Sequence, residues 1–171
     1  MTCVIIVIIG LGFGIIDEPF FRAISLGLLQ GLYVLIGAIA VERYKKGIWF
    51  LALFLFFAMT GGRALGDTRD LPYDQKTDTM TLPKRYCVRF ASIFLLVNQL
   101  LVYTFSLLVY FTGLFDIAYL YCIIALIVVG FIQTIIFIIK PTPKVANVTN
   151  MLSFGVLGML FIIGMVVGVK I

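Results

Sequence analysis

Apolar residues in this chain run in long blocks separated by short polar or turn-forming stretches, with no sustained alternation of apolar and polar positions. A block of about 20 apolar residues matches the helix length that crosses a hydrocarbon layer, whereas a membrane barrel would show alternating strands of about 10. The pattern predicts six spans: Thr2 to Ile16, Phe21 to Val41, Ile48 to Leu65, Phe90 to Thr112, Ile117 to Ile139 and Val148 to Val169. The first is short for a full crossing and has the length of a signal-peptide core. No basic residue precedes it and Asp17-Glu18-Pro19 is a poor cleavage site, so it is read as a span. The expected fold is an all-α integral membrane bundle of about six transmembrane helices, a single domain over residues 1–171 with a motif loop at 66–89.

Composition agrees, since 63% of the 171 residues are hydrophobic and 12% charged, with a mean hydropathy of +1.17. A soluble domain has no use for that much apolar surface. Small residues inside the spans, among them Gly27, Gly31, Gly37, Ala38, Gly155 and Gly158, are expected to let helix backbones approach closely. The in-span amides Gln30, Asn98, Gln99 and Gln133 are costly in lipid unless paired, so they are expected to face the bundle interior. Tyr103, Tyr110, Tyr119 and Tyr121 suggest an interfacial aromatic belt.

Lysine and arginine placement orients the bundle, because basic loops stay on the cytoplasmic side. Arg22, Arg69, Lys76, Lys84, Arg85, Arg89, Lys140 and Lys144 fall on one side, and Arg43, Lys45, Lys46 and Lys170 on the other, eight against four. The polar stretch Gly66 to Arg89 is therefore expected to face the cytoplasm, as in a multi-pass protein of a cell inner membrane. The net charge of +5 follows from these short loops and points to lipid headgroups or a diphosphate, not to nucleic acid. Cys3, Cys87 and Cys122 have no pairing or metal spacing, and the absence of histidine removes imidazole bases and zincin chemistry.

The polar stretch carries the candidate chemistry. It holds Asp67, Asp70, Asp74 and Asp78, four of the chain's eight acidic residues. The first three recur at spacings of three and four, which on a helix places their carboxylates on one face, within reach of a shared cation. Asp78 is read as a solvated loop residue, and the same is the plain alternative for the whole stretch.

The order Asp67-x-Arg69-Asp70-x-x-x-Asp74, six residues, then Thr81-Leu82-Pro83 closely resembles the second aspartate motif of the UbiA-type intramembrane prenyltransferases, roughly D-I-R-D-x-x-G-D-R-x-x-G-x-x-T-L-P. The resemblance implies a nine-helix fold of which this chain matches helices four to nine. The family's first motif, N-x-x-x-D-x-x-x-D, does not occur in the sequence. Pro72-Tyr73 also departs from the consensus, and Arg22 stands near where many relatives carry a tyrosine and a lysine. These departures imply the C-terminal portion of an enzyme or a degenerate relative.

What the resemblance implies is Mg2+-dependent transfer of a prenyl group from an isoprenoid diphosphate to an aromatic, quinone-precursor or other lipophilic acceptor. Asp70 and Asp74 would be the catalytic metal ligands, with Asp67 a ligand or a partner of Arg69. Arg63, Arg69, Lys76 and Arg22 would contact the diphosphate. Arg63 has an equally plain alternative, snorkelling to the headgroups, and topology alone accounts for Lys76 and Lys84. The CDP-alcohol phosphotransferases use membrane aspartates too, but their D-G-x-x-A-R pattern is absent. The remaining alternative is an inactive or partner-dependent small membrane protein that keeps the fold without a complete metal site.

Overall fold

The structure, a computed structural model, describes residues 18–42 and 45–168. The expected first span, with Cys3, and the basic residues Arg43 and Lys170 lie outside them. The described residues are helical: α1 Pro19–Ala40, α2 Lys46–Asp74, the short α3 Leu82–Tyr86, α4 Val88–Phe111, α5 Ile117–Ile139, and α6 Pro143–Leu152 running through a π-helical turn, Ser153–Leu157, into α7 Gly158–Gly168. Among the described residues, five segments are long and apolar enough to cross a membrane: α1, α2, α4, α5 and the continuous Pro143–Gly168. The protein is a multi-pass integral membrane protein.

Local chemistry sets the element ends. Pro19 and Pro143 open α1 and α6, where a missing N–H leaves no helical bond unmade. Asp116 accepts the Ala118 N–H at 2.8 Å and caps α5. The Asp116 N–H in turn donates to Gly168 O at 2.8 Å and ties that end of α5 to the end of α7. Gly113 leaves α4 at φ +74°, a left-handed turn that suits glycine.

α2 is the central helix and packs against α1, α3, α4 and α6. On the α1 side Gly27 lies directly on α2: a Cβ there would stand 2.5 Å from Phe56 O. Gly27 and Gly31 thus make the close approach expected of them, whereas Gly37 and Gly155 face no neighbour within 4 Å. Two apolar clusters fill the bundle. One, with Phe54, Tyr119, Ile123 and Phe161, stacks Phe54 on Phe161 at 4.1 Å between ring centroids. The other, with Ala64, Leu65, Leu82, Leu95 and Phe137, lies beneath the polar stretch and includes one of its own residues, Leu82.

Two expectations change. Tyr103 and Tyr119 do not form an outer belt: they are 6% and 0% exposed. Tyr119 Oη donates to Ser106 O at 3.1 Å, which satisfies its polar end inside the bundle. Tyr121 does face outward. The second change concerns the stretch at 66–89, whose first nine residues, Gly66 to Asp74, continue α2 instead of forming a loop. The helix persists because its inner face stays buried through Ala64, Leu65, Asp67 and Thr68. Pro72, which cannot donate to the turn before it, is tolerated three positions from the helix end.

Candidate functional site

All three spaced aspartates ride on the last two turns of α2, in three different environments. Asp67 is 2% exposed and fully engaged. Arg63 Nε lies 2.7 Å from Asp67 Oδ1, a charge pair whose N–H is not aligned for a hydrogen bond. Leu82 N–H donates to Asp67 Oδ2 at 3.1 Å and draws the Thr81-Leu82-Pro83 segment back onto the helix. Asp70 is half-exposed and takes a two-pronged hydrogen bond from its neighbour, Arg69 Nε to Oδ1 at 2.7 Å and Nη2 to Oδ2 at 2.8 Å. Arg69 therefore partners Asp70 and not Asp67, whose two oxygens are held by Arg63 and by the Leu82 N–H. Asp74 is 8% exposed, and its carboxylate makes no hydrogen bond or ion pair among the described residues.

The rest of the stretch is held by side chains bonding to backbone. Lys84 Nζ donates to three carbonyls, Asp74 O at 2.9 Å, Thr77 O at 2.7 Å and Thr79 O at 3.2 Å. It ties the last carbonyl of α2 to the turn that follows the helix and spends its charge there. Arg22 Nη2 donates to Met80 O at 2.8 Å. Tyr86 Oη donates to Glu18, which keeps the phenol proton and raises its pKa, and Arg85 Nε stands 3.8 Å from the same carboxylate. Lys76 and Asp78 are exposed.

Besides Arg63 Nε, two further donors here remain unspent. Arg22 Nε and Thr81 Oγ1 are buried with no hydrogen-bond partner among the described residues, a condition that folded proteins avoid unless something else binds there. Among those residues no three His, Cys, Asp or Glu side chains gather closely enough to hold a metal ion by themselves. Mg2+ does not need such a cage, since it usually takes one or two carboxylates with water and substrate phosphate. Asp74, whose carboxylate is free, and Asp70, whose exposed carboxylate would share its oxygens with Arg69, are hard oxygen donors at i and i+4 that fit that requirement, while Asp67 is buried with both oxygens occupied.

Beside the charged end lies a cavity of about 350 Å³ between α2, α4, α5 and the Pro143–Gly168 segment. Its walls are apolar, with Met59, Leu95, Leu126 and Phe161 among them, and Gly62 and Leu65 bring it alongside Arg63. The π-helical turn lines it through Ser153, Phe154 and Leu157. A second cavity of about 340 Å³, by Tyr110 and Asp116, sits at the opposite end of α4, away from the aspartates.

Sequence reasoning placed the carboxylates but missed that Lys84 and Asp67 serve the fold of the stretch itself. The four-residue spacing of Arg63 and Asp67 was the available signal for their pairing. No local signal marks Lys84 for this role, because its acceptors are carbonyls brought together by the turn.

No protein-family model matches the chain, and no curated protein matches it. Among solved structures it is similar to a digeranylgeranylglyceryl phosphate synthase in membranes, with a TM-score of 0.76 at 20% sequence identity. The fold is that of a UbiA-type membrane prenyltransferase. The similarity covers 89% of this chain and 53% of the synthase, so the chain spans about half that enzyme's length. The matched share accords with the C-terminal part of the prenyltransferase fold.

Proposed function

We propose that this chain carries the second half of a prenyl-transfer site, in which an isoprenoid diphosphate is bound at the end of α2 and its prenyl group passes to a lipophilic or aromatic acceptor within the bundle. The observation that carries the reading is the pairing of two opposite environments. Unspent donors on Arg22 and Thr81 and the free carboxylate of Asp74 cluster at the charged end, and an apolar cavity opens beside it. Donors suit the oxygens of a diphosphate, and the apolar cavity suits the hydrocarbon parts of the substrates.

Asp70 and Asp74 would hold Mg2+, which when bound neutralises charge on the departing diphosphate. Arg22 and Arg63 place fixed positive charge where negative charge builds up, and Arg69 and Lys76 add a solvated outer pair. Asp67 keeps Arg63 aimed and Leu82 in place. The apolar walls exclude water, which would otherwise consume the allylic cation formed as the carbon–oxygen bond breaks. In this reading the aspartates face the cytoplasm, as the basic loops indicate.

The test is diphosphate release from a prenyl diphosphate by the protein in membranes, with and without Mg2+. Asp74→Asn and Asp70→Asn are expected to lower the Mg2+-dependent rate about 100-fold or more, in line with loss of one group that stabilises developing charge. Unchanged rates would end the metal assignment. A second reading, an inactive or partner-dependent membrane protein, is favoured by the lack, among the described residues, of three side chains gathered closely enough to hold a metal ion. It predicts no release by this chain alone and recovery when a segment bearing N-x-x-x-D-x-x-x-D is co-expressed.

A further inference from the structure

The wall of the apolar cavity beside the charged end is interrupted by polar groups at one place. Gln99 of α4 and Ser153 of the π-helical turn line it, and Tyr103, one turn beyond Gln99, is 6% exposed, with an Oη that has no hydrogen-bond partner among the described residues. Ser153 is committed, donating to Gln133 Oε1 at 3.4 Å. Thr134, next to the phenol, gives its proton to Gly130 O at 2.9 Å. Gly130 makes room for the arrangement: a Cβ there would lie 2.6 Å from Tyr103 Oη and 3.4 Å from Gln99 Nε2. Tyr103 Oη and the Gln99 amide thus converge on one spot behind the cavity wall.

A phenol buried in a membrane bundle must donate its proton to something. A half-turn of the Gln99 amide, which leaves its heavy-atom shape unchanged, turns Oε1 to the phenol as acceptor. The amide N–H groups then face the cavity. A donor in an otherwise apolar enclosure selects an apolar molecule that carries a hydrogen-bond-accepting oxygen. The depth is also suited to a second substrate. Asn98, beside Gln99 in sequence, packs against Gly61, which is six residues, about 9 Å of helix, deeper than Asp67.

We propose that Gln99, oriented by Tyr103, is the subsite for a carbonyl oxygen of the lipophilic acceptor. Assigning the ligand as acceptor rests on the prenyl-transfer reading; the hydrogen-bonding subsite itself does not. Gln99 touches the ligand, and Tyr103 is a positioning residue that acts through it.

The test uses the full chain in lipid nanodiscs and two probes of similar shape, 2-methyl-1,4-naphthoquinone and the hydrocarbon 2-methylnaphthalene. Gln99→Leu is expected to weaken quinone binding about fivefold, the effect of one net hydrogen bond, and to leave hydrocarbon binding unchanged. Tyr103→Phe keeps the ring and removes only the hydroxyl, and is expected to weaken quinone binding about twofold. In infrared difference spectra the bound quinone's carbonyl stretch should lie below its value in lipid for the parent protein, return to that value in Gln99→Leu, and move part-way in Tyr103→Phe. Equal changes for both probes, or a carbonyl stretch that does not respond to either substitution, would overturn the proposal. No diphosphate or metal enters this assay. Its failure therefore leaves the aspartate site standing, and failure of the Asp74→Asn test leaves the subsite standing.

Discussion

Two arginine–aspartate pairs lie within two turns of each other on α2, and they do different work. Arg63 and Asp67 are four apart, on one face, and Asp67 is almost wholly buried. Arg69 and Asp70 are adjacent, and their side chains are 40% and 48% exposed. The first pair has a third member, the Leu82 N–H, brought from fifteen residues away. The second has no further hydrogen bond among the described residues. Ion pairing alone therefore says little about role. Burial and the third partner turn one pair into a strut for the Thr81-Leu82-Pro83 segment, while the other stays in the open.

Three substitutions break or sharpen this contrast. The largest effect is expected from Asp67→Ala, which leaves Arg63 without its counter-charge and the buried Leu82 N–H without an acceptor, a loss of about 2 kcal/mol of stability. Thermal unfolding in detergent, together with faster hydrogen exchange at Leu82, would register it. If unfolding is unchanged, Asp67 is no strut. Lys84→Met comes next. It frees the carbonyls of Asp74, Thr77 and Thr79, with an expected cost of about 1 kcal/mol. Limited proteolysis should cut within 75–81 sooner than in the parent chain, and an unaltered digestion pattern would count against the tie. The smallest effect belongs to Arg69→Ala, where loss of an exposed pair should move stability by under about 0.5 kcal/mol. A shift as large as that of Asp67→Ala would erase the distinction between the two pairs.

The same contrast explains what could be read from the chain before its fold was known. Spans over 21–41, 90–112 and 117–139 follow from hydropathy, and the observed α1, α4 and α5 fall within two residues of them. The carboxylates at 67, 70 and 74 and their spacing were likewise readable, because spacing is local, but the helix that carries them was expected to be a loop. Hydropathy ended the third span at Leu65, nine residues before α2 stops at Asp74. A window average registers the island's charge and is blind to the narrow buried face that keeps it helical. The tyrosines misled for a related reason. Frequency at interfaces suggests a belt, but burial of Tyr119 depends on an acceptor, Ser106 O, on the neighbouring helix.

By itself the sequence determined the class, the helices and the order of charges, since membrane length and residue spacing are properties of consecutive residues. Tertiary structure alone decided which aspartate is spent and which is free. Leu82 arrives from fifteen residues along the chain to occupy Asp67, whereas no such donor reaches the carboxylate of Asp74 among the described residues. Tertiary structure also decided that an apolar cavity stands beside the charged end, because a cavity belongs to four segments at once and has no signature in any one of them.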